Sequence, residues 1–248
     1  MGAINITLES RCSSTMLGSS CFKCSLCDIC TSHTSKIKDT NCLHEFIKQG
    51  GIINRGKYLF KEHRPFKSLF SVRSGAFKTY SETEDGEEQI TGFYLPGDII
   101  GLDSTNTSTY NCSAKALELS SFCEIPFVQL ENLASKKPLL QHHFFSLMSN
   151  EIQTSQQLTR LLSKASAEER IATFLLNLSS HFKQRNLSAT RFRLPMPRID
   201  IGNYLGLAVE TISRVLTRFQ KAGVISTRGR ELVLNDVVAL TDLTKHHL

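Results

Sequence analysis

The segment IDIGNYLGLAVETISRVLTRFQKAGVI, residues 199–225, constrains this chain more than any other stretch. Apolar residues recur at helical spacing on both sides of Gly206, and a glycine there suits the tight turn between two steeply crossed helices. In the second helix Ile212, Val215, Leu216 and Phe219 share one face and are expected to be buried. Glu210, Ser213 and Arg214 stand at i, i+3 and i+4 on another face, so three hydrogen-bonding side chains converge near the helix start. A helix placed this way reads base edges in a major groove: Arg grips guanine O6 and N7 together, a carboxylate accepts from cytosine N4, and Ser serves either partner. A surface helix with a Glu210–Arg214 ion pair is the plainer account of the same residues. Charge favours the first reading. Between Arg191 and Arg230 eight basic residues stand against Asp200 and Glu210, an excess of six that equals the formal net charge of +6 for the whole chain. The following TRGRELVLND reads as a two-stranded wing.

Upstream the pattern changes twice. From about Gly50 to Phe127 short β-branched, aromatic and alternating runs are punctuated by glycines, which predicts an all-β unit, and Asp85-Gly86 marks a hairpin turn. After Pro138 the period is helical, and Phe144, Met148, Ile152, Ser155, Thr159 and Leu162 form a narrow stripe; such a stripe can pack on its own domain, but its spacing is that of a seam with a second copy of the chain, which is the expected use. Ser166-Ala167-Glu168-Glu169 is a capping box that opens a new helix. The expected organisation is therefore a cysteine-rich segment over 1–35, a sensor domain over 36–137, a dimerisation helix over 138–165 and a DNA-binding domain over 166–248. No run approaches the ~18 apolar residues of a membrane span, and the opening MGAINITLES lacks the basic and apolar regions of an export signal. A cytoplasmic protein with no membrane partner is expected.

Five of the eight cysteines lie in the first 35 residues. In a reducing compartment such a cluster points to metal or redox chemistry rather than disulfides. CFKCSLCDIC spaces Cys21, Cys24, Cys27 and Cys30 by two residues each. Four thiolates at that spacing suit the corners of an iron–sulfur cubane, and they equally suit a tetrahedral zinc.

The stretch IGNYLGL-x-VETISR-x-L-x-RFQK, with LLSKxxAEER, EEQITGFYLPGDIIG and CEIPF upstream, resembles the FNR family of the CRP/FNR superfamily over about residues 20–235. The resemblance implies an α+β chain with a cyclic-nucleotide-binding-like β-roll sensor domain, a long dimerisation helix and a C-terminal winged helix-turn-helix. It implies a non-enzymatic, oxygen-responsive activator that binds double-stranded DNA as a homodimer, reads a TTGAT-type half-site with Glu210, Ser213 and Arg214, and works with RNA polymerase. It further implies a 4Fe-4S cluster on Cys21, Cys24, Cys30 and Cys123, with Cys27 as an extra thiol able to substitute; Cys12, Cys42 and Cys112 match no ligand position. Two departures stand out. Ala208 occupies the position where the family usually has Ser or Thr to cap the reading helix, and Ser155 the position where it commonly carries an acidic residue in the dimer seam. Three other readings remain: a CRP-like regulator answering another small signal such as nitric oxide, a zinc-stabilised DNA-binding protein, and an iron–sulfur electron carrier. A cyclic nucleotide is not expected, because LDSTNTSTYNCSA after GDIIG offers no basic residue before Lys115 to hold its phosphate.

Overall fold

Alternation of apolar and polar residues folds the first half of the described chain into two antiparallel sheets. The structure is a computed structural model and describes residues 47–244. Its first eight strands are β1 (Lys48–Ile53), β2 (Tyr58–Phe60), β3 (Ser68–Ser74), β4 (Phe77–Glu82), β5 (Glu88–Tyr94), β6 (Ile99–Ile100), β7 (Ser113–Ala116) and β8 (Ser120–Pro126). One sheet runs β1-β8-β3-β6 and the other β2-β7-β4-β5. Phe60, Phe70, Val72, Phe77, Ile100 and Tyr110 fill the space between them, and the rings of Phe60 and Tyr110 stack at 3.8 Å. The β4–β5 hairpin closes around Gly86 at φ 78°, a conformation that L side chains resist, as Asp85-Gly86 predicts.

Helices α1 (Phe127–Lys136) and α2 (Pro138–Lys164) then leave the sandwich. Pro138 begins α2, where its missing amide costs no helical hydrogen bond. The first turns of α2 pack on the sandwich through Leu140, Phe144 and Leu147. From Ile152 to Gln157 every residue is exposed, so the middle of the helix stands clear of its own chain. The two end residues of the stripe read from the sequence also touch their own chain. Phe144 belongs to its own core, 6.4 Å from the Phe127 ring, while its neighbour Phe145 is 59% exposed. Leu162 is partly buried, and its Cδ2 lies 3.7 Å from where a Cβ on Gly206 would be. Met148 is partly buried, and Ile152, Ser155 and Thr159 are exposed.

The C-terminal domain comprises α3 (Ala167–Gln184), α4 (Arg198–Leu205), α5 (Val209–Lys221), α6 (Val237–Asp242) and a sheet ordered β10-β11-β9 from β9 (Arg191–Arg193), β10 (Ile225–Arg228) and β11 (Glu231–Leu234). The capping box forms in both directions: the Glu169 amide donates to Ser166 Oγ at 3.3 Å, and the Ser166 amide donates to Glu169 Oε2 at 2.6 Å. One residue on, Arg170 turns back. Its Nε donates to the Ala165 carbonyl at 2.9 Å, its Nη2 to Leu162 at 2.8 Å and its Nη1 to Leu205 at 3.0 Å. Carbonyls at the ends of α2 and α4 that have no helical donor are thereby satisfied by one planar cation.

Arg170→Ala is expected to lower unfolding stability by about 2 to 4 kcal/mol, since it strands part-buried carbonyls that a charged donor had paired. Arg170→Lys should recover little of this, because an ammonium cannot fork to three acceptors. Urea titrations of the three proteins check it, and equal midpoints for wild type and alanine variant would contradict it.

Candidate nucleic-acid interface and its link to the sensor

The reading helix α5 buries Ile212, Val215, Leu216 and Phe219 and exposes Glu210 and Arg214. Among the described residues Glu210 and Arg214 do not pair with each other at ion-pair distance, so both ends of the expected triad point outward uncommitted. Ser213 between them is partly buried and accepts from Arg198 Nη1 at 3.1 Å. Ala208 caps α5 with no side-chain hydrogen bond. Gly206 ends α4 in the left-handed region, φ 62° and ψ 41°. A second glycine matters as much. A Cβ on Gly202 would stand 2.5 Å from the Leu207 carbonyl oxygen, so the turn after Gly206 folds back this closely onto α4 only because position 202 has no side chain. The wing forms as β10–β11, turning at Gly229 with φ 65°, and Arg218 pairs with Glu168 across the domain.

The domain is fastened to the sensor through β5, an edge strand. The Asn203 side chain on α4 meets that edge as another strand would: Nδ2 donates to the Glu88 carbonyl at 2.6 Å, and Oδ1 accepts from the Ile90 amide at 2.7 Å. Beside it Lys78, only 6% exposed, places Nζ 2.7 Å from Glu88 and 3.1 Å from Asp200. Burial pushes the Glu88 carboxyl upward, but the hydrogen bond and charge of Lys78, with help from Lys115, outweigh this and hold it below the usual carboxylate range. Phe93 completes the contact, edge-on to Tyr204 at 5.2 Å and to Phe174 at 6.1 Å. A second fastening uses the GDIIG turn. Asp98 lies 2.9 Å from His181 Nε2 on α3 and accepts at 2.6 Å from Nη2 of Arg185, the residue that caps that helix.

At its other end β5 touches α2, where Tyr94 donates to Glu151 at 3.1 Å. Burial, together with Asp98 and Asp103, pushes the Glu151 carboxyl above its ordinary range despite that bond. A groove of about 680 Å³ opens here between α2 and the turn after GDIIG, lined by Asp103, Asn106, Met148, Glu151, Ile152 and Arg160 among others. Of the expected ligand cysteines, Cys21, Cys24, Cys27 and Cys30 lie outside the described residues. Cys123 is half-buried on β8, in register with Gln49 of β1 and Ser71 of β3. Cys112 is buried, and that burial pushes its thiol up, which disfavours the thiolate that metals bind.

With this geometry in hand, comparison with known proteins is decisive. The cyclic nucleotide-binding domain family matches residues 52–137, and the Crp-like helix-turn-helix domain family matches residues 169–243. The chain is 51% identical over 223 residues to the transcriptional activator protein anr of Pseudomonas aeruginosa, covering 90% of this chain and 91% of that one. This chain belongs to the FNR family. It is 45% identical to the fumarate and nitrate reduction regulatory protein of Escherichia coli, over 91% of this chain and 90% of the relative. FixK2 of Bradyrhizobium japonicum has the same architecture, with a TM-score of 0.72 at 30% identity over 78% of this chain and 95% of that one. An FNR-family chain with a helix-turn-helix is a DNA-binding transcription regulator, and among the described residues no helix is long and apolar enough to cross a membrane.

The sequence reading found the turn at Gly206 but gave no role to Asn203, Lys78, Glu88 or Asp200. Asn203→Ala is expected to leave the helix-turn-helix folded and free the outer edge of β5. Hydrogen exchange reads this directly: the Ile90 amide, which donates to Asn203, should exchange at least tenfold faster, roughly the worth of one lost hydrogen bond. Unchanged protection at Ile90 would mean that the contact does not persist in solution.

Proposed function

We propose that this FNR-family regulator binds palindromic TTGAT-type DNA as a homodimer while a 4Fe-4S cluster on Cys21, Cys24, Cys30 and Cys123 is intact, that dioxygen is its signal, and that it acts in the cytoplasm on RNA polymerase without any catalytic activity of its own. The observation that carries this reading is the exposure of Glu210 and Arg214 on the first turns of α5, flanking Ser213. That set matches the hydrogen-bonding needs of guanine and cytosine in a major groove. Support for a dimer comes from the bare middle of α2, where Ile152 is 57% exposed beside Ser155 and Thr159. Two half-sites one helical turn apart require two linked reading helices.

The described part of the ligand set suits a cluster. Cys123 lies on a strand between two others, a rigid position for a distant fourth thiolate, and Cys27 is a spare thiol in the N-terminal run. When bound, an iron–sulfur cluster supplies redox chemistry that dioxygen alters. The turn after GDIIG speaks against a cyclic nucleotide, because it carries Asp103 and no basic residue before Lys115.

Anaerobically purified protein, examined by absorption and Mössbauer spectroscopy before and after air and by band shift on a TTGAT palindrome, tests the whole reading. Colourless, zinc-loaded protein would overturn the cluster, and failure to shift the palindrome would overturn the site. Serine at Cys21, Cys24, Cys30 or Cys123 should empty the cluster, whereas Cys27→Ser should keep iron and sulfide near wild type. Arg214→Ala should cost about 1 to 3 kcal/mol on the palindrome and leave salt-sensitive nonspecific binding nearly intact. The seam offers a further check. An acidic pair facing across a dimer axis repels, so hydroxyls at Ser155 should make the dimer tighter, and Ser155→Asp should weaken it in sedimentation experiments with and without air.

A further inference from the structure

We infer that Arg198 decides which bases Ser213 tolerates: by donating to the Ser213 hydroxyl it leaves that group a proton to offer, so the base in front of it must present an acceptor and cytosine is penalised. This deepens the DNA-binding reading above and rests on it, since Arg198 is a positioning residue that acts through Ser213. Arg198 begins α4 and Ser213 lies on α5, so the contact spans the two helices of the motif. Arg198 Nη1 donates to Ser213 Oγ at 3.1 Å.

The direction of that bond is fixed by chemistry. A guanidinium carries N–H donors and no acceptor, so the serine oxygen accepts. A hydroxyl on a helix commonly spends its proton on the carbonyl four residues back. Thr217 does so on Ser213 at 2.8 Å, and Thr159 on Ser155 at 2.9 Å. Among the described residues Ser213 Oγ has Arg198 as its one hydrogen-bond partner, so its own proton is unspent. The oxygen keeps a second lone pair, but a hydroxyl that already accepts from a cation is polarised into a better donor and a poorer acceptor.

The surroundings keep Arg198 at this task. It lines a cleft of about 230 Å³ between α4, α5 and the wing, together with Met196, Leu216, Thr227 and Arg230. Among the described residues no carboxylate lies at ion-pair distance to draw the guanidinium away, and Asp200, two residues on, is held by Lys78 at 3.1 Å. Ser213 is partly buried on the same helix face as exposed Glu210 and Arg214, the face turned to DNA in the reading above. In a major groove guanine offers N7 and O6, adenine N7 and thymine O4, whereas cytosine offers only its N4 donor. Each base on the TTGAT strand therefore suits a donating Ser213. A cytosine would set two donors against each other.

The test titrates full-length anaerobic protein by fluorescence anisotropy on the palindrome and on a panel in which each half-site base is replaced by the other three. Ser213→Ala locates the position that Ser213 reads, as the one whose base preference it flattens. There wild type should bind cytosine about tenfold more weakly than the preferred base, in line with the cost of one mismatch. Arg198→Gln has an amide oxygen that lets the hydroxyl turn its proton inward, and should cut the cytosine penalty to about threefold or less while keeping the preferences at other positions. Arg198→Lys, again a donor without an acceptor, should keep the penalty near wild type. If Arg198→Gln instead weakens every duplex by one common factor, Arg198 is a backbone contact alone and the proposal is overturned. It is overturned equally if Ser213→Ala changes no preference, or if Arg198→Gln still alters the preferences when Ser213 is already alanine, which would put Arg198 on the base itself. Wild type that does not prefer the palindrome to a scrambled duplex of equal length would bring down the DNA-binding reading, and this inference with it.

Discussion

The geometry of the output domain depends on where one guanidinium sends its protons. Arg170 belongs to α3, yet the carbonyls it holds come from the last turn of α2, from the residue that ends that helix and from the end of α4. Helix α2, the first helix of the C-terminal domain and the helix in front of the reading helix are thus tied at one point. Gly206 sits against the same group: a Cβ there would lie 3.4 Å from Arg170 Nη1, in addition to straining a left-handed backbone. The turn that aims α5 and the knot that anchors it to α2 are the same few atoms. Rotation of α2 cannot be absorbed in a slack linker, because there is little slack between Leu162 and Ala167.

Much of this fold is legible because its signals are local. The capping box needs only Ser166 and Glu169, the β4–β5 turn only Asp85 and Gly86, and the buried face of α5 only its 3.6-residue period. The reading failed where the deciding partner was distant. Asn203 looks like any polar helix residue until the edge of β5, 113 residues earlier, is brought beside it. Phe144 and Phe145 show a different limit. Adjacent residues on a helix point about 100° apart, so a periodic stripe accepts either, and only Phe127 in the folded chain decides which turns inward. Gly202 did leave a trace, as a second glycine four residues before Gly206, but the close return of the turn onto α4 is argued from coordinates and not from spacing.

One strand holds both the long helix α2 and the reading head. Tyr94 at the end of β5 holds Glu151 on α2, and Glu88 and Ile90 at its start hold Asn203 on α4. Glu151 is a costly group to keep there, since burial and two other carboxylates all disfavour its charge. Its place on the face that borders the open stretch of α2 means that whatever packs against Ile152 also alters the surroundings of that carboxyl, and through Tyr94 the seat of β5.

That seat also closes an exposed boundary of the sandwich. The order β2-β7-β4-β5 leaves β5 with one side unpaired, and an edge strand with free amides and carbonyls is a template for joining another chain. Evolved sheets commonly blunt such edges with charge, proline or a covering element. Here the cover is the reading domain itself, with Asn203 standing in for a missing strand. A regulator that swings its DNA-binding domain far from its sensor would uncover a sticky margin each time it changed state. Selection against self-association therefore limits how far the domain can travel, and favours switching by small tilts about Arg170 over wholesale release.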